Sequence, residues 1–162
     1  MSEAIFRPSG SAEMTWAMNQ LFEHLLGPDE GDGRVGLALV TQAPGFATPL
    51  HRHANEAEAF FLLDGNLTYR AGEDLFEMSA GDFVWLPQTM PHAFRVTSKS
   101  PAKVLALTTP AGLLRLYDEV GMPAKERRLP EGGGRPMAEE VARWNEIGPR
   151  YGLEVLGPPI QE

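Results

Sequence analysis

The central part of the chain is a series of short apolar segments separated by turn residues, from about residue 34 to about residue 109. Turn signals recur about every 8–12 residues, which is typical of a sandwich or barrel of short strands. Asp64 and Gly65 have the composition of a tight hairpin turn, and Pro87 and Pro91 indicate a loop between two later segments. The predicted strands are residues 34–41, 50–52, 57–63, 66–70, 83–86, 92–96 and 104–108. This pattern predicts an all-β fold.

The N-terminal part of the chain does not follow this pattern. Residues 1–13 are small and polar, and we expect them to form an arm. Residues 14–26 fit an amphipathic helix about as well as a strand, because periodicity does not separate the two for short apolar runs. Residues 27–33 are rich in glycine and acidic side chains, which predicts a loop.

The C-terminal part changes to helical spacing. Residues 112–120 and 137–147 carry apolar positions with the period of a helix, and Val141, Trp144 and Ile147 are predicted to share one side. The remaining predicted segments are a flexible connector at 130–136 and a last strand at 153–156. We therefore expect one domain over residues 1–162, with the barrel at about 35–110 and a helical extension at about 111–162.

The composition of the chain limits which kinds of binding partner and metal site it can have. The chain has 162 residues, of which 43% are hydrophobic and 22% charged, as in an ordinary globular domain. Its formal net charge is −8, and binding to phosphate backbones needs a basic face, so we expect no nucleic-acid partner. No apolar run approaches the roughly 20 residues that cross a bilayer, and the N-terminus lacks the regions of a signal peptide, so we expect a cytoplasmic protein without membrane contact. The chain has no cysteine, which excludes disulfides and thiolate metal sites.

Three of the four histidines fall in the β region, close to predicted turns. His51 and His53 are two residues apart, so in a strand both imidazoles lie on one face, with Arg52 on the other. His92 begins a later strand. His24 is alone in an apolar stretch and is interpreted as a packed or exposed histidine. The candidate ligands of one divalent transition-metal ion are therefore His51, His53 and His92.

A carboxylate would complete such a site, because a metal held by neutral imidazoles also needs charge compensation. Glu56 and Glu58 are the candidates, since both come just before or at the start of a predicted strand. They have the same strand parity, so local geometry does not choose between them.

Two sequence motifs carry a family resemblance. The stretch from Gly45 to Gly65 matches the first cupin motif, G-x5-H-x-H-x3–4-E-x6-G, at every fixed position. The stretch from Gly81 to Val96 resembles the second motif, G-x5-P-x-G-x2-H-x3-N, with Thr89 in place of the motif's glycine and Val96 in place of its asparagine. Neither position is a metal ligand. The chain is thus similar to the cupins, whose fold is a double-stranded β-helix, or jelly-roll, barrel.

The resemblance implies a ligand set and a cofactor. The ligands are His51, His53, Glu58 and His92, and this choice favours Glu58 over Glu56. One divalent ion of iron, nickel, manganese, cobalt, copper or zinc is compatible with the set. Such a set leaves coordination positions open, which is typical of a catalytic metal. Glu58 is then expected to act both as a ligand and as the base that takes a proton from an enolic hydroxyl.

Residues that share the parity of the ligands are expected to line an apolar pocket beside the ion, because alternate side chains of a strand point to the same face. Aromatic walls suit a flat aromatic or enolic substrate. The predicted pocket residues are Phe60, Leu62, Phe94, Val96, Leu37 and Leu39.

Outside the motifs, the chain resembles small single-domain cupins similar to bacterial quercetin 2,3-dioxygenases. Three features carry this resemblance, namely Thr15-Trp16, the segment 109–112 before a short amphipathic helix, and the segment 150–154 after the closing helix. In that group, the equivalent of residues 14–26 is a strand.

This resemblance implies a homodimer that cleaves a phenolic or enolic, flavonol-like small molecule with dioxygen. The alternatives are a non-oxidative lyase or isomerase that uses the metal as a Lewis acid, and a cupin that binds a small molecule without catalysis.

Overall fold

The structure, a computed structural model, describes residues 4–132 and 135–161 as two antiparallel β-sheets followed by a mostly helical segment. The strands are β1 (Glu13–Ala17), β2 (Gln20–Leu26), β3 (Gly36–Gln42), β4 (Pro49–His53), β5 (Ala57–Asp64), β6 (Asn66–Ala71), β7 (Asp74–Ser79), β8 (Phe83–Leu86), β9 (His92–Val96), β10 (Ala102–Thr109), β11 (Met122–Pro123) and β12 (Leu153–Pro159). The α-helices are α1 (Leu114–Val120) and α2 (Ala138–Ile147). Within the described ranges, no helix is long and apolar enough to cross a membrane. The predicted all-β class is confirmed.

Strands that are far apart in sequence are neighbours in the sheets, as a jelly roll requires. The larger sheet has the order β11-β1-β2-β3-β10-β5-β8, and the smaller has the order β12-β4-β9-β6-β7. The long-range pairs β3 with β10 and β4 with β9 are both antiparallel. The core between the sheets includes Phe46, Leu62, Tyr69 and Val104, all of them buried.

Residues 14–26, which the residue pattern left open between helix and strand, form most of the hairpin of β1 and β2. The two connecting residues, Met18 and Asn19, both have positive φ, 50° and 59°. A turn of this kind matches the right-handed twist of the two strands. The register aligns Ala17 with Gln20. The strand assignment that the cupin resemblance favours is confirmed.

The inward face of β3 differs from the prediction. Ala38, Val40 and Gln42 are buried, whereas Leu37 and Leu39 are only half-buried, on the other face of the strand. The placement of Leu37 and Leu39 in the pocket is therefore wrong. The physical reason is that residues 36–40 are apolar at every position, so their alternation does not show which face points inward. The pairing of β3 with β2 and β10 determines which face of β3 points inward.

The C-terminal segment packs against the barrel. Tyr117 of α1 stacks on Phe22 of β2, with 4.3 Å between the ring centroids, and Trp144 of α2 lies 5.5 Å from Tyr117. On α2, Trp144 and Ile147 are buried, whereas Val141 is 38% exposed. β12 pairs with β4, the strand that carries two of the candidate ligands. Residues 133–134 of the predicted connector lie outside the described residues.

Candidate metal centre and adjoining cavity

Three strands bring the predicted ligands together inside the barrel. His51 and His53 lie on β4, and His92 begins β9, where it is aligned directly with His51. Glu58 lies on β5 in the other sheet, so the site bridges the two sheets. All four side chains are buried, with 2–5% of each residue exposed. The sequence places them in one region, and the jelly-roll pairing brings them into contact.

The distances among these side chains fit a bound cation. Nε2 of His53 and Nε2 of His92 each lie 3.1 Å from Oε2 of Glu58. One ring nitrogen from each of His51, His53 and His92 lies within 4.8 Å of the other two. Two ligands bound at right angles to one ion at about 2.1 Å are about 3.0 Å apart. Among the described residues, His53 Nε2 and Glu58 Oε2 have no partner with acceptable hydrogen-bond geometry, although the two atoms lie close together. An ion held between them would satisfy both atoms better than a direct hydrogen bond would.

Backbone carbonyls orient two of the imidazoles. His51 Nδ1 donates to the carbonyl of Pro49 at 2.7 Å, and His92 Nδ1 donates to the carbonyl of Met90 at 2.9 Å. A carbonyl only accepts, so the proton of each neutral ring lies on Nδ1 and Nε2 keeps its lone pair. Both rings are therefore held in the tautomer that a metal ion needs.

The electrostatics of the site also favour a cation. Burial, together with the neighbouring His92 and His53, lowers the pKa of His51 to about 3, so this imidazole is neutral at neutral pH. Burial lowers the pKa of His53, but the Glu58 carboxylate outweighs burial and the net shift is upward. Burial raises the pKa of Glu58, yet His53 and His92 hold it well below its usual range. An ionised carboxylate among imidazoles is a donor set that suits a divalent transition metal.

The structure distinguishes the two candidate glutamates. Glu58 is the carboxylate at 3.1 Å from two imidazole nitrogens. Glu56 is also buried, but its Oε2 has no hydrogen-bond partner among the described residues. It lies outside β5, two residues before Glu58 and ahead of the first residue of the strand. The position of Glu58 agrees with the cupin motif, in which Glu58 occupies the glutamate position. Strand parity alone did not distinguish Glu58 from Glu56.

An apolar cavity adjoins the candidate ligands. His51, His92 and Glu58 form part of its wall, and about 60 Å³ of it is open to the centres of water-sized molecules. This is room for several waters at roughly 10–15 Å³ each, or for a small organic molecule in their place. The apolar wall includes Phe22, Ala38, Val40, Phe60, Phe94 and Ala106.

The predicted pocket residues occupy three different environments. Phe60 and Phe94 line the cavity. Leu62 and Val96 are buried in the core, at 0% and 1% exposure, but are not part of the cavity wall. Leu37 and Leu39 lie on the opposite face of β3, as described above.

The helical extension supplies a wall that sequence reasoning missed. Leu114 and Tyr117 of α1 and Trp144 of α2 line the cavity together with the strands. The helical pattern predicts that Trp144 is on an apolar face, but only the tertiary packing shows that this face closes the barrel. Trp144 Nε1 is buried without a hydrogen-bond partner among the described residues.

Comparison with known proteins agrees with this fold. Residues 38–108 match the cupin domain family. The chain is 25% identical over 104 residues to the quercetin 2,3-dioxygenase of Bacillus subtilis, and this alignment covers 64% of the chain but only 31% of that protein. The chain therefore spans less than a third of the length of this curated relative.

Two solved structures share the fold at low sequence identity. A predicted oxalate decarboxylase from Thermotoga maritima has a TM-score of 0.58 and 19% identity, with 66% of this chain and 99% of that chain covered. An RmlC-like cupin from Shewanella frigidimarina has a TM-score of 0.58 and 13% identity, with 67% and 93% covered. The two-sheet barrel and the buried histidines agree with the match of residues 38–108 to the cupin domain family.

Proposed function

We propose that the protein is a metal-dependent dioxygenase that acts on a phenolic or enolic small molecule. The observation that carries the proposal is the position of the candidate ligands. The nitrogens of His51 and His92 and the carboxylate of Glu58 lie in the wall of an apolar cavity, so an ion held there faces the space that a substrate would fill. A structural metal site is closed by its ligands, whereas a catalytic site keeps a position open.

The chemistry of the cavity supports a flat, uncharged substrate. Among the described residues that line it, none is Lys, Arg or Asp, and Glu58 is the only acidic residue. An anionic substrate would therefore find no cationic side chain in this wall. Phe22, Phe60 and Phe94 offer aromatic surface to a ring. The similarity to a quercetin 2,3-dioxygenase points to the same kind of substrate.

The protein's own groups bind, orient and deprotonate the substrate. The aromatic walls hold its ring and exclude water from the reacting atoms. The carbonyls behind His51 and His92 keep those imidazoles fixed. The Glu58 carboxylate is ionised and accepts the proton of the enolic hydroxyl. His51, His53, His92 and Glu58 would hold the metal, which would supply Lewis-acid stabilisation of the resulting negative oxygen and redox chemistry with dioxygen. Both oxygen atoms of dioxygen enter the product, so the reaction requires no external reductant.

Oxygen uptake with defined substrates tests the proposal. The protein is loaded separately with Fe²⁺, Ni²⁺, Mn²⁺, Co²⁺, Cu²⁺ or Zn²⁺, and quercetin and simpler phenols or enols are added in a closed oxygen-electrode cell. With at least one pair of metal and substrate, we expect one molecule of oxygen to be consumed per molecule of substrate. When ¹⁸O₂ is used, mass spectrometry should find two labelled oxygen atoms in the products.

The same experiment distinguishes a non-oxidative reaction. Equal substrate turnover under argon and air, with no ¹⁸O in the product, would overturn the dioxygenase proposal in favour of Lewis-acid lyase or isomerase chemistry. Saturable binding without any turnover would instead indicate a cupin that binds a small molecule.

A further inference from the structure

The cavity has a second polar end, remote from the metal centre. On the metal side, Glu58 is aligned with Thr108 of β10, and Thr108 is aligned with Gly36 at the start of β3. From Gly36 the strand rises about 20 Å to its last residue, Gln42. Gln42 lines the cavity together with Gln20 of β2, to which it is aligned. A ligand lying along the cavity therefore meets the metal centre at one end and a pair of amides at the other.

Gln42 has an acceptor that no described residue satisfies. Its Nε2 donates to Oε1 of Gln20 at 3.1 Å. Its own Oε1 is buried without a hydrogen-bond partner among the described residues, and Gln42 as a whole is only 3% exposed. Two facing amides have enough donors and acceptors for two reciprocal bonds, but only one forms here. Because an unpaired buried carbonyl oxygen is unfavourable, a donor in the cavity would be stabilised by it.

The neighbouring turn shows backbone strain at the same end of the cavity. Met18 and Asn19 connect β1 to β2 with φ of 50° and 59°, a conformation that asparagine adopts readily but that methionine rarely adopts. Both residues are buried, and Met18 lines the cavity. Asn19 Nδ2 is a further buried donor without a partner in the described part of the chain. Strained backbone of this kind persists where surrounding structure enforces it, and it is frequent at ligand sites.

We propose that Gln42 is a specificity-determining residue that accepts a hydrogen bond from a hydroxyl or N–H group at the far end of an uncharged, elongated substrate. The proposal rests on the proposed function, because the near end of the same molecule is the phenolic or enolic group at the metal centre. The body between the two ends is apolar, since Val40, Phe60 and Phe94 line the space between them.

Three matched ligands test the proposal in the unaltered protein. The probes are 3-hydroxyflavones extended at the 4′ position by a phenyl, a 4-hydroxyphenyl or a 4-methoxyphenyl group, which share the enolic end and a long apolar body and differ only at the opposite end. Dissociation constants are measured by isothermal titration on metal-loaded protein under argon, so that no turnover occurs. We expect the hydroxy derivative to bind about three- to tenfold more tightly than both others, the gain of one net hydrogen bond.

Variants assign that preference to Gln42. Gln42→Met has similar volume but replaces the amide oxygen by a thioether, which is only a weak acceptor. It should bind all three ligands with dissociation constants within twofold of one another. Gln42→Glu keeps an acceptor oxygen and should retain the preference for the hydroxy derivative. Thr41→Val is the matched control, because Thr41 is on the other face of the same strand, and it should behave as wild type. Circular dichroism melting confirms that each variant is folded.

The outcomes separate this proposal from the dioxygenase proposal. Equal affinities in the wild type, no binding of any probe, or an undiminished preference in folded Gln42→Met would each overturn the role of Gln42. A Gln42-dependent preference without oxygen consumption in air would support that role and count against the dioxygenase. If Gln42→Met does not fold, the comparison of hydroxy with methoxy derivatives in the wild type still decides whether a donor is recognised.

Discussion

At the residue scale, hydrogen bonds and ion pairs within the protein already orient the side chains of the candidate metal centre. The carbonyls of Pro49 and Met90 fix the tautomers of His51 and His92, and the ionised Glu58 faces two imidazoles at 3.1 Å. The arrangement reduces the reorganisation that metal binding requires, because the donor atoms already converge. Because the side chains contribute differently to this site, replacement of each is expected to change metal content or turnover in a different way.

Replacement of His51 by alanine should remove bound metal. The variant loses one of three imidazole donors, and we expect less than about a tenth of the metal per chain found in the wild type after dialysis. Elemental analysis by mass spectrometry measures this ratio. His24→Gln is the matched control, because His24 contacts Thr15 and Asp118 and is not part of the centre. Wild-type metal content in His51→Ala would refute the assignment of His51 as a ligand.

Replacement of Glu58 by glutamine should separate binding from catalysis. The amide oxygen remains available to the ion, but the base for the enolic proton is lost, so turnover should fall by about 10²–10⁴-fold. Metal content should fall less than in His51→Ala. Glu56→Gln is the control and should keep turnover within a few-fold of wild type. Oxygen-uptake rates and elemental analysis provide both readouts, and full activity in Glu58→Gln would exclude its role as the base.

At the element scale, sequence predicted best where a motif constrains the chain. The strand that begins at His92 is found as predicted, because turn residues and prolines act locally. The predicted hairpin at Asp64-Gly65 is wrong: Gly65 does separate β5 from β6, but the two strands pair with different neighbours and lie in different sheets. The face of β3 could not be predicted, since residues 36–40 are uniformly apolar and only pairing with neighbouring strands orients them. The choice of Glu58 over Glu56 likewise needed the motif, and the wall formed by α1 and α2 needed tertiary packing.

The wall formed by α2 depends on one side chain. Trp144 is 6% exposed and packs against Tyr117 over the cavity, whereas Val141, one turn earlier, is 38% exposed. Trp144→Ala should therefore lower the free energy of unfolding by about 3–5 kcal/mol, and Val141→Ala by less than about 1 kcal/mol. Urea unfolding followed by circular dichroism measures both. Similar losses in the two variants would contradict the packing of α2 on the barrel.

At the scale of the whole molecule, the outer face of the larger sheet carries an apolar patch. The register places two rows of side chains across β8, β5, β10 and β3 on this face. One row is Phe83, Phe61, Leu105 and Leu39, and the other is Trp85, Ala59, Leu107 and Leu37. Phe83, Trp85 and Phe61 are 62%, 49% and 39% exposed. Contiguous aromatic and aliphatic exposure of this kind is typical of an interface.

We propose that a second copy of the chain covers this patch. The patch contains no charged residue, so two copies of a chain with net charge −8 can meet here without direct repulsion across the interface. β8 is the terminal strand of the sheet in the described topology, and a two-fold axis beside it would pair like rows from the two copies. The leucines that are absent from the cavity, Leu37 and Leu39, would then have an interface role.

Light scattering after size-exclusion chromatography tests the dimer. We expect the wild type at micromolar concentration to have twice the 17.8 kDa mass of one chain. Phe83→Glu introduces one buried charge per copy and should raise the dimer dissociation constant about tenfold or more. The control is Leu75→Glu, because Leu75 is 63% exposed but lies on β7 in the other sheet. A monomeric wild type, or equal dissociation in both variants, would show that this face is not the dimer interface.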